Sequence, residues 1–389
     1  MTNKITEPRP IDVHWFLPTS GDGRSVTDFF PDPSQHFVSR PRPADFDYMR
    51  QIAQAADKLG FVGVLTPTGV TCEDAWLMCA AVAPFTEHLR YLVAFRPGFV
   101  LPTLAAQMAA TLQRISNGRT LINIVTGGDS ADQRSYGDYL DHDSRYDRTA
   151  EFIDVFRRCF SPERFDYNGA HYQVERGGLR TPVGRDGLPD APPVYFGGAS
   201  EAAEKVAASQ VDVYLLWGEP PEWVAERIAR MRAKAAELGR TLRFGIRMHV
   251  IARAEEGDAW AEAERLLSQM DKDQIATAQK GFNKMESVGQ SRMVELHKGN
   301  SDMESLIVSP NLWAGMGLVR GGAGTALVGN YDQVAERISE YAALGLDTFI
   351  LSGYPHLEEA YNVGEEILPR VRGVTAGIAP DVVSSSAAS

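Results

Sequence analysis

Eight short runs rich in β-branched and aromatic residues recur along the chain, separated by longer stretches of which most are amphipathic. They fall at 11–17, 62–66, 89–95, 120–125, 193–196, 212–216, 242–251 and 347–352. Helical periodicity is predicted at 44–59, 73–84, 102–116, 145–160, 200–209, 221–238, 257–270 and 331–344, with Asn117-Gly118 and Leu238-Gly239 as stop signals. Alternating βα units require a parallel sheet with right-handed crossovers, and a count of eight suits a closed α/β barrel, the (β/α)8 TIM barrel. An open doubly wound sheet is the other architecture with this alternation.

Length decides how much is left over. The 389 residues exceed a minimal barrel, and the surplus falls into insertions near 19–43, 161–192 and 271–330. The expectation is a single barrel domain over 1–377 with these insertions at its C-terminal face, and a flexible tail at 378–389. Six glycines within 315–329 suggest a mobile lid. A formal charge of −12 argues against nucleic acid or an anionic membrane as bulk partner, without bearing on one local basic pocket. Cys72, Cys79 and Cys159 form no CxxC or zinc spacing, and the N-terminus has no signal-peptide core, so the expected location is cytoplasmic.

In a barrel, polar residues at the C-terminal ends of strands are site candidates. Here they are Pro18-Thr19, Pro67-Thr68, Arg96, Thr126-Gly127-Gly128-Asp129, Gly197-Gly198-Ala199-Ser200, Trp217-Gly218-Glu219 and Gly353-Tyr354-Pro355-His356. The seventh run alternates Phe244, Ile246, Met248 and Val250 with Gly245, Arg247 and His249, which puts Arg247 and His249 on one face. Inside a barrel that pair would call for an anion, whereas on an edge it would simply be solvated. The turn Gly197-Gly198-Ala199-Ser200 ends a strand and opens a helix, a setting suited to a phosphate, although a plain β-to-α turn has the same composition. His142 and Tyr146, four apart, could add neutral donors. There is no GxGxxG, no GxxxxGK[ST], no HExxH and no GxSxG, which disfavours dinucleotide, P-loop, zinc and serine-hydrolase chemistries.

Longer motifs add a resemblance. CEDAW (72–76), VTGGD (125–129), LDHDSRY (140–146), YFGGAS (195–200), WGEPPE (217–222), FGIRMHVI (244–251), LVRGGAGTALVG (318–329) and LSGYPHLEEAY (351–361) together resemble the alkanesulfonate monooxygenases among the bacterial-luciferase-like barrels. The resemblance implies a two-component enzyme that receives reduced FMN (FMNH2) from a separate NAD(P)H-dependent flavin reductase. With O2 it would cleave the carbon–sulfur bond of an organosulfonate to sulfite and an aldehyde. It also implies a homodimer or homotetramer.

Carried over residue by residue, it implies catalytic or substrate roles for Cys72, Trp217, Arg247, His249, Arg320, Tyr354 and His356. It implies cofactor contacts for Thr126, His142, Tyr146, Gly198, Ala199 and Ser200. The chain departs from the family in reading PTSGDG where relatives read PTHGDG, so Ser20 replaces a site histidine and enlarges the pocket. A bulkier or hydroxylated sulfonate follows as an expectation, with sulfoquinovose, giving 6-oxo-glucose, as the specific candidate. The alternatives are a related flavin monooxygenase acting on a sulfone, an amine chelator or an alkane, and a non-catalytic flavin-binding barrel.

Overall fold

The computed structural model describes residues 9–27, 41–180 and 191–377. The expected tail at 378–389 and parts of two insertions, 28–40 and 181–190, lie outside the described residues. Eight parallel strands close into a barrel: β1 (Asp12–Phe16), β2 (Gly63–Thr66), β3 (Arg90–Phe95), β4 (Thr120–Ile124), β5 (Val194–Gly197), β6 (Val213–Trp217), β7 (Arg243–Arg253) and β8 (Thr348–Ser352). Each pairs with its sequence neighbour, and β8 returns to β1 to complete the ring. All eight expected runs are strands, and the open-sheet alternative is excluded by this closure.

Alternation within each strand sorts its side chains between two cores. Val13 and Trp15 of β1, Leu17 just after it, and Phe244, Ile246 and Met248 of β7 pack outward with the helices. Phe16, Leu65, Leu92, Leu121, Tyr195, Leu215 and Ile350 fill the interior. Arg247 and His249 therefore face inward, and both are buried. This rules out the solvated-edge reading of that pair.

The helices differ from expectation in one instructive place. The helix that follows β8 is His356–Arg370, which the sequence reading missed because Pro355, Gly364 and Pro369 look like breakers. Pro355 instead serves as the N-cap, and Gly364 lets the helix approach Leu59, whose Cβ would lie 2.7 Å from a β-carbon at 364. Helices Ser130–Ser135, Lys272–Phe282 and Val288–His297 were also unforeseen.

The insertion between β7 and β8 is more ordered than a simple lid. β7 runs beyond the barrel and pairs with strand Ala326–Asn330, which continues antiparallel into Leu312–Trp313 and Ile307–Ser309. Much of the glycine-rich stretch is buried, with only Arg320, Gly321 and Gly322 half-buried or exposed between Gly315 and Val328. Among the described residues no helix is long and apolar enough to cross a membrane.

Candidate active site

A cleft lies at the C-terminal ends of β4, β5 and β6. One end is built by the turn after β5. Ser200 caps helix Glu201–Gln210, its Oγ accepting from the Ala203 N–H at 3.2 Å. A β-carbon at Gly198 would lie 2.6 Å from Ala203 Cβ and 3.3 Å from the Tyr146 hydroxyl, so only glycine lets the two elements meet. Tyr146 comes from helix His142–Arg158, and Ser200 is near enough to its hydroxyl to act on its titration. Burial pushes that phenol up, keeping it a neutral donor. The His142 ring lies 4.9 Å from the Tyr146 ring, with Nδ1 2.7 Å from Asp143. Glu204, an acid in the first turn of the capped helix, is occupied by Arg230 at 2.7 Å and Lys234 at 2.8 Å.

Thr126 forms the floor beside Asn123, its hydroxyl 3.1 Å from that of Thr149 and its carbonyl accepting from Gln133 Nε2 at 2.6 Å. The roof is Ser287, Val288 and Gly289 from the large insertion, with the Trp217 ring against Gly289. Two ion pairs hold this roof to the barrel. Arg145 reaches Glu286 at 2.9 Å, and Arg292 grips both oxygens of Glu219 at 2.6 and 2.8 Å.

Arg247 joins the cleft to a second group. Its guanidinium lies 4.5 Å from the centroid of Phe16 and donates to the Met248 carbonyl at 2.9 Å. Arg320 lies 5.8 Å from the same ring and donates to the Tyr354 hydroxyl. Tyr354 stacks 5.6 Å from His249, and the His249 Nδ1 is 2.8 Å from Ser352 Oγ. His356 stands edge-on to Tyr354 at 5.1 Å and is tied to Asp22. Among the described residues neither Arg247 nor Arg320 has a carboxylate partner.

Sequence and structure comparisons place the barrel in a family. The family model described as luciferase-like monooxygenase matches residues 11–348. The chain belongs to the luciferase-like monooxygenase family. Solved relatives of the fold include a riboflavin lyase holding modified FMN and riboflavin, at 20% identity and TM-score 0.73, covering 96% of this chain and 94% of that one. The EDTA monooxygenase of Chelativorans sp. BNC1 is 18% identical, with TM-score 0.72 over 94% of this chain and 95% of its own. A long-chain alkane monooxygenase is likewise 18% identical, with TM-score 0.72 over 94% and 92%.

Within this luciferase-like barrel the electrostatics of the second group follow from burial. Burial first, and Arg320 second, push Arg247 down to about 9. Burial and then the nearby cations hold His249 well below the ordinary histidine value, as a neutral ring. Burial raises Tyr354, opposed by Arg320 and Arg247. Cys72, in the bend after β2, is half-buried, and burial pushes its thiol up although Thr19, Arg320 and Arg96 oppose this. It is therefore a thiol rather than a ready nucleophile.

The residues singled out from sequence thus form two groups. Thr126, His142, Tyr146, Gly198, Ala199 and Ser200 gather around one end of the cleft, and Trp217 sits under its roof. Arg247, His249, Arg320, Tyr354 and His356 cluster beyond it. Ser20 is exposed in the turn after β1 and does not line the cleft. Sequence reasoning missed Phe16, which both arginines cover, and Asp22, for which the only signal was a polar Ser-Gly-Asp-Gly turn at a strand end.

Proposed function

We propose that this luciferase-like protein is an FMNH2- and O2-dependent monooxygenase of organosulfonates, releasing sulfite and an aldehyde. The observation that carries the reading is the pair Arg247 and Arg320, two guanidiniums over one aromatic ring with no carboxylate among the described residues. A buried guanidinium such as Arg247 without counter-charge is costly, and an anionic substrate shared with the half-buried Arg320 supplies the missing charge. A neutral alkane would leave them uncompensated.

The cleft fits FMN. A helix N-terminus with Ser200 and the Tyr146 hydroxyl offers neutral donors to the phosphate, and His142 stands beside them. The apolar walls, Ile124, Leu65, Leu215 and Ile350, leave room for the ring system, with Thr126 and Asn123 along its edge. Reduced FMN, when bound, supplies the electrons with which dioxygen is activated. The protein's part is then to bind and orient. Arg247 and Arg320 hold the sulfonate oxygens, the Tyr354 hydroxyl and the His249 and His356 rings complete the donor set, and the roof over Trp217 keeps water out. Arg247 acts by position and charge rather than as a proton carrier, because near neutrality it stays protonated.

The overall change is balanced: sulfonate, FMNH2 and O2 give aldehyde, sulfite, FMN and water, with reducing equivalents delivered by a separate flavin reductase. Sulfoquinovose is the specific substrate we propose, because Tyr354, His249 and His356 beside the two arginines offer polar partners to sugar hydroxyls, whereas Ser20, exposed and outside the cleft, lends no support. The test is sulfite release with reduced FMN on sulfoquinovose, octanesulfonate and methanesulfonate in parallel, with EDTA turnover as control. Sulfite from the sugar ahead of the alkyl chains is expected. Preference for the alkyl chains removes the sugar, and no sulfite from any of them removes the sulfonate.

A further inference from the structure

Asp22 is fully buried in the turn after β1 and accepts four hydrogen bonds. Its Oδ1 takes the Gly23 N–H at 2.9 Å and the His356 Nδ1 at 2.8 Å. Its Oδ2 takes the His356 backbone N–H at 2.7 Å and the Tyr48 hydroxyl. An ionised carboxylate only accepts, so the proton lies on Nδ1 and the His356 Nε2 carries a lone pair. That Nε2 is buried, and among the described residues it has no hydrogen-bond partner. The ring faces Phe16 at 5.5 Å and Tyr354 at 5.1 Å, the two rings against which Arg320 lies.

Beside the two guanidiniums His356 thus presents a bare acceptor. A sulfonate brings acceptors only, and an imidazole lone pair facing it would repel it. The groups around the ring are Asp22 from the β1 turn and, behind it, Tyr48 from helix Phe46–Leu59. Arg247 and His249 from β7, Arg320 from the glycine-rich loop and Tyr354 from its own segment complete the set. Burial keeps His356 neutral and Arg320 and Arg247 reinforce this, while Asp22 alone opposes them. An anion seated on the two arginines cancels their effect and adds its own attraction for the imidazolium, acting with Asp22 against burial.

We propose that Asp22 is a positioning residue that makes His356 take up a proton as the sulfonate binds. The proton comes from solvent and bonds to Nε2, which then donates to the anion, while Asp22 keeps the Nδ1 proton and balances the new charge. The inference rests on the anionic-substrate reading above.

Calorimetric titration of methanesulfonate into FMN-saturated protein, in phosphate and in Tris at one slightly alkaline pH, measures the protons taken up. Uptake close to one proton per anion is expected in the wild type. In Asp22→Asn it should be close to none, with affinity about tenfold weaker. Nitrogen-15 NMR of the His356 ring should show the Nδ1–H tautomer in the wild type. Tyr48→Phe removes a different donor from the same carboxylate, and should lower stability while leaving the uptake intact. Equal uptake in wild type and Asp22→Asn, or an Nε2–H tautomer in the wild type, overturns the proposal. Absence of methanesulfonate binding overturns the anionic reading and the proton linkage together, and the tautomer then decides Asp22's hold on His356 by itself.

Discussion

Arg243 and Arg247 stand four residues apart on the same face of β7, and their surroundings are opposite. At the N-terminal end of the barrel Arg243 is gripped by Asp347 at 2.7 and 3.0 Å and by Asp12 at 3.2 Å. Burial alone would lower its pKa, but the Asp347 bonds outweigh this and hold it above the usual guanidinium range. At the C-terminal end Arg247 has a backbone carbonyl and an aromatic face, and it falls to about 9. One end closes its charges to join β1, β7 and β8, and the other leaves them open for a ligand. Site and scaffold are therefore separable by counter-charge rather than by residue type.

Replacing each arginine by methionine tests that contrast most severely. Because the folded pKa of Arg247 lies below its ordinary value, folding disfavours its charge. That cost is fully present below about pH 9 and fades as pH rises further towards the ordinary guanidinium range. Arg247→Met should lower kcat/KM for sulfite release by about 10³-fold. It should also raise unfolding free energy by ~1–4 kcal/mol near neutrality, read by urea titration. A loss of stability instead would make Arg247 a second structural clamp. Arg243→Met should cost about 3–5 kcal/mol by leaving Asp347 and Asp12 uncompensated, with the sulfonate KM of the surviving protein within about threefold. A large KM change would mean that the two ends are coupled.

How far the sequence carries follows the same division. Strand identity was legible because a buried parallel strand is a continuous apolar run, and the Arg247–His249 alternation within one such run had no packing explanation. The helix after β8 was hidden because proline and glycine there act through local geometry, as N-cap and close approach, which composition reads as breakage. Asp22 was hidden because its significance depends on Tyr48 and His356, distant in sequence, and a lone acid in a glycine turn resembles ordinary turn chemistry. Phe16 was hidden because, next to Trp15 in an apolar strand, it looks like ordinary core. Arg243 and Arg247 looked alike until the positions of Asp12 and Asp347 separated them.

Two histidines extend the contrast to acid stability. His14 is buried in the lower barrel with neither ring nitrogen bonded among the described residues, whereas His249 is anchored by Ser352. Burial, with Arg90 and Arg243 adding to it, pushes His14 down to about 3 from 6.5. The unfolded chain thus binds a proton that the fold does not, and stability falls as pH drops from 6.5 towards 3. The expected slope is about 1.4 kcal/mol per pH unit for each such histidine. His14→Leu should reduce the slope of unfolding free energy against pH by about one proton between these limits, with turnover near neutrality unchanged. An unchanged slope would show that His14 is already protonated in the fold.

The smallest effect is expected at the roof, where an ion pair crosses between the insertion and the barrel. Glu286 is half-exposed and reaches Arg145, which is buried on the helix that carries Tyr146. An ion pair with one partner in solvent contributes about 0.2–1 kcal/mol, and salt screens it. Glu286→Gln keeps a polar side chain beside Ser130 but removes the charge, so FMN should bind about two- to fivefold more weakly at low salt, with the difference disappearing at high salt. Fluorescence quenching of FMN across a salt series measures this directly. A change in the other direction, tighter binding on loss of the carboxylate, would mean that Arg145 had been released to act on the phosphate. Arg145 would then belong with the open charges of Arg247 and Arg320 rather than with the closed ones of Arg243.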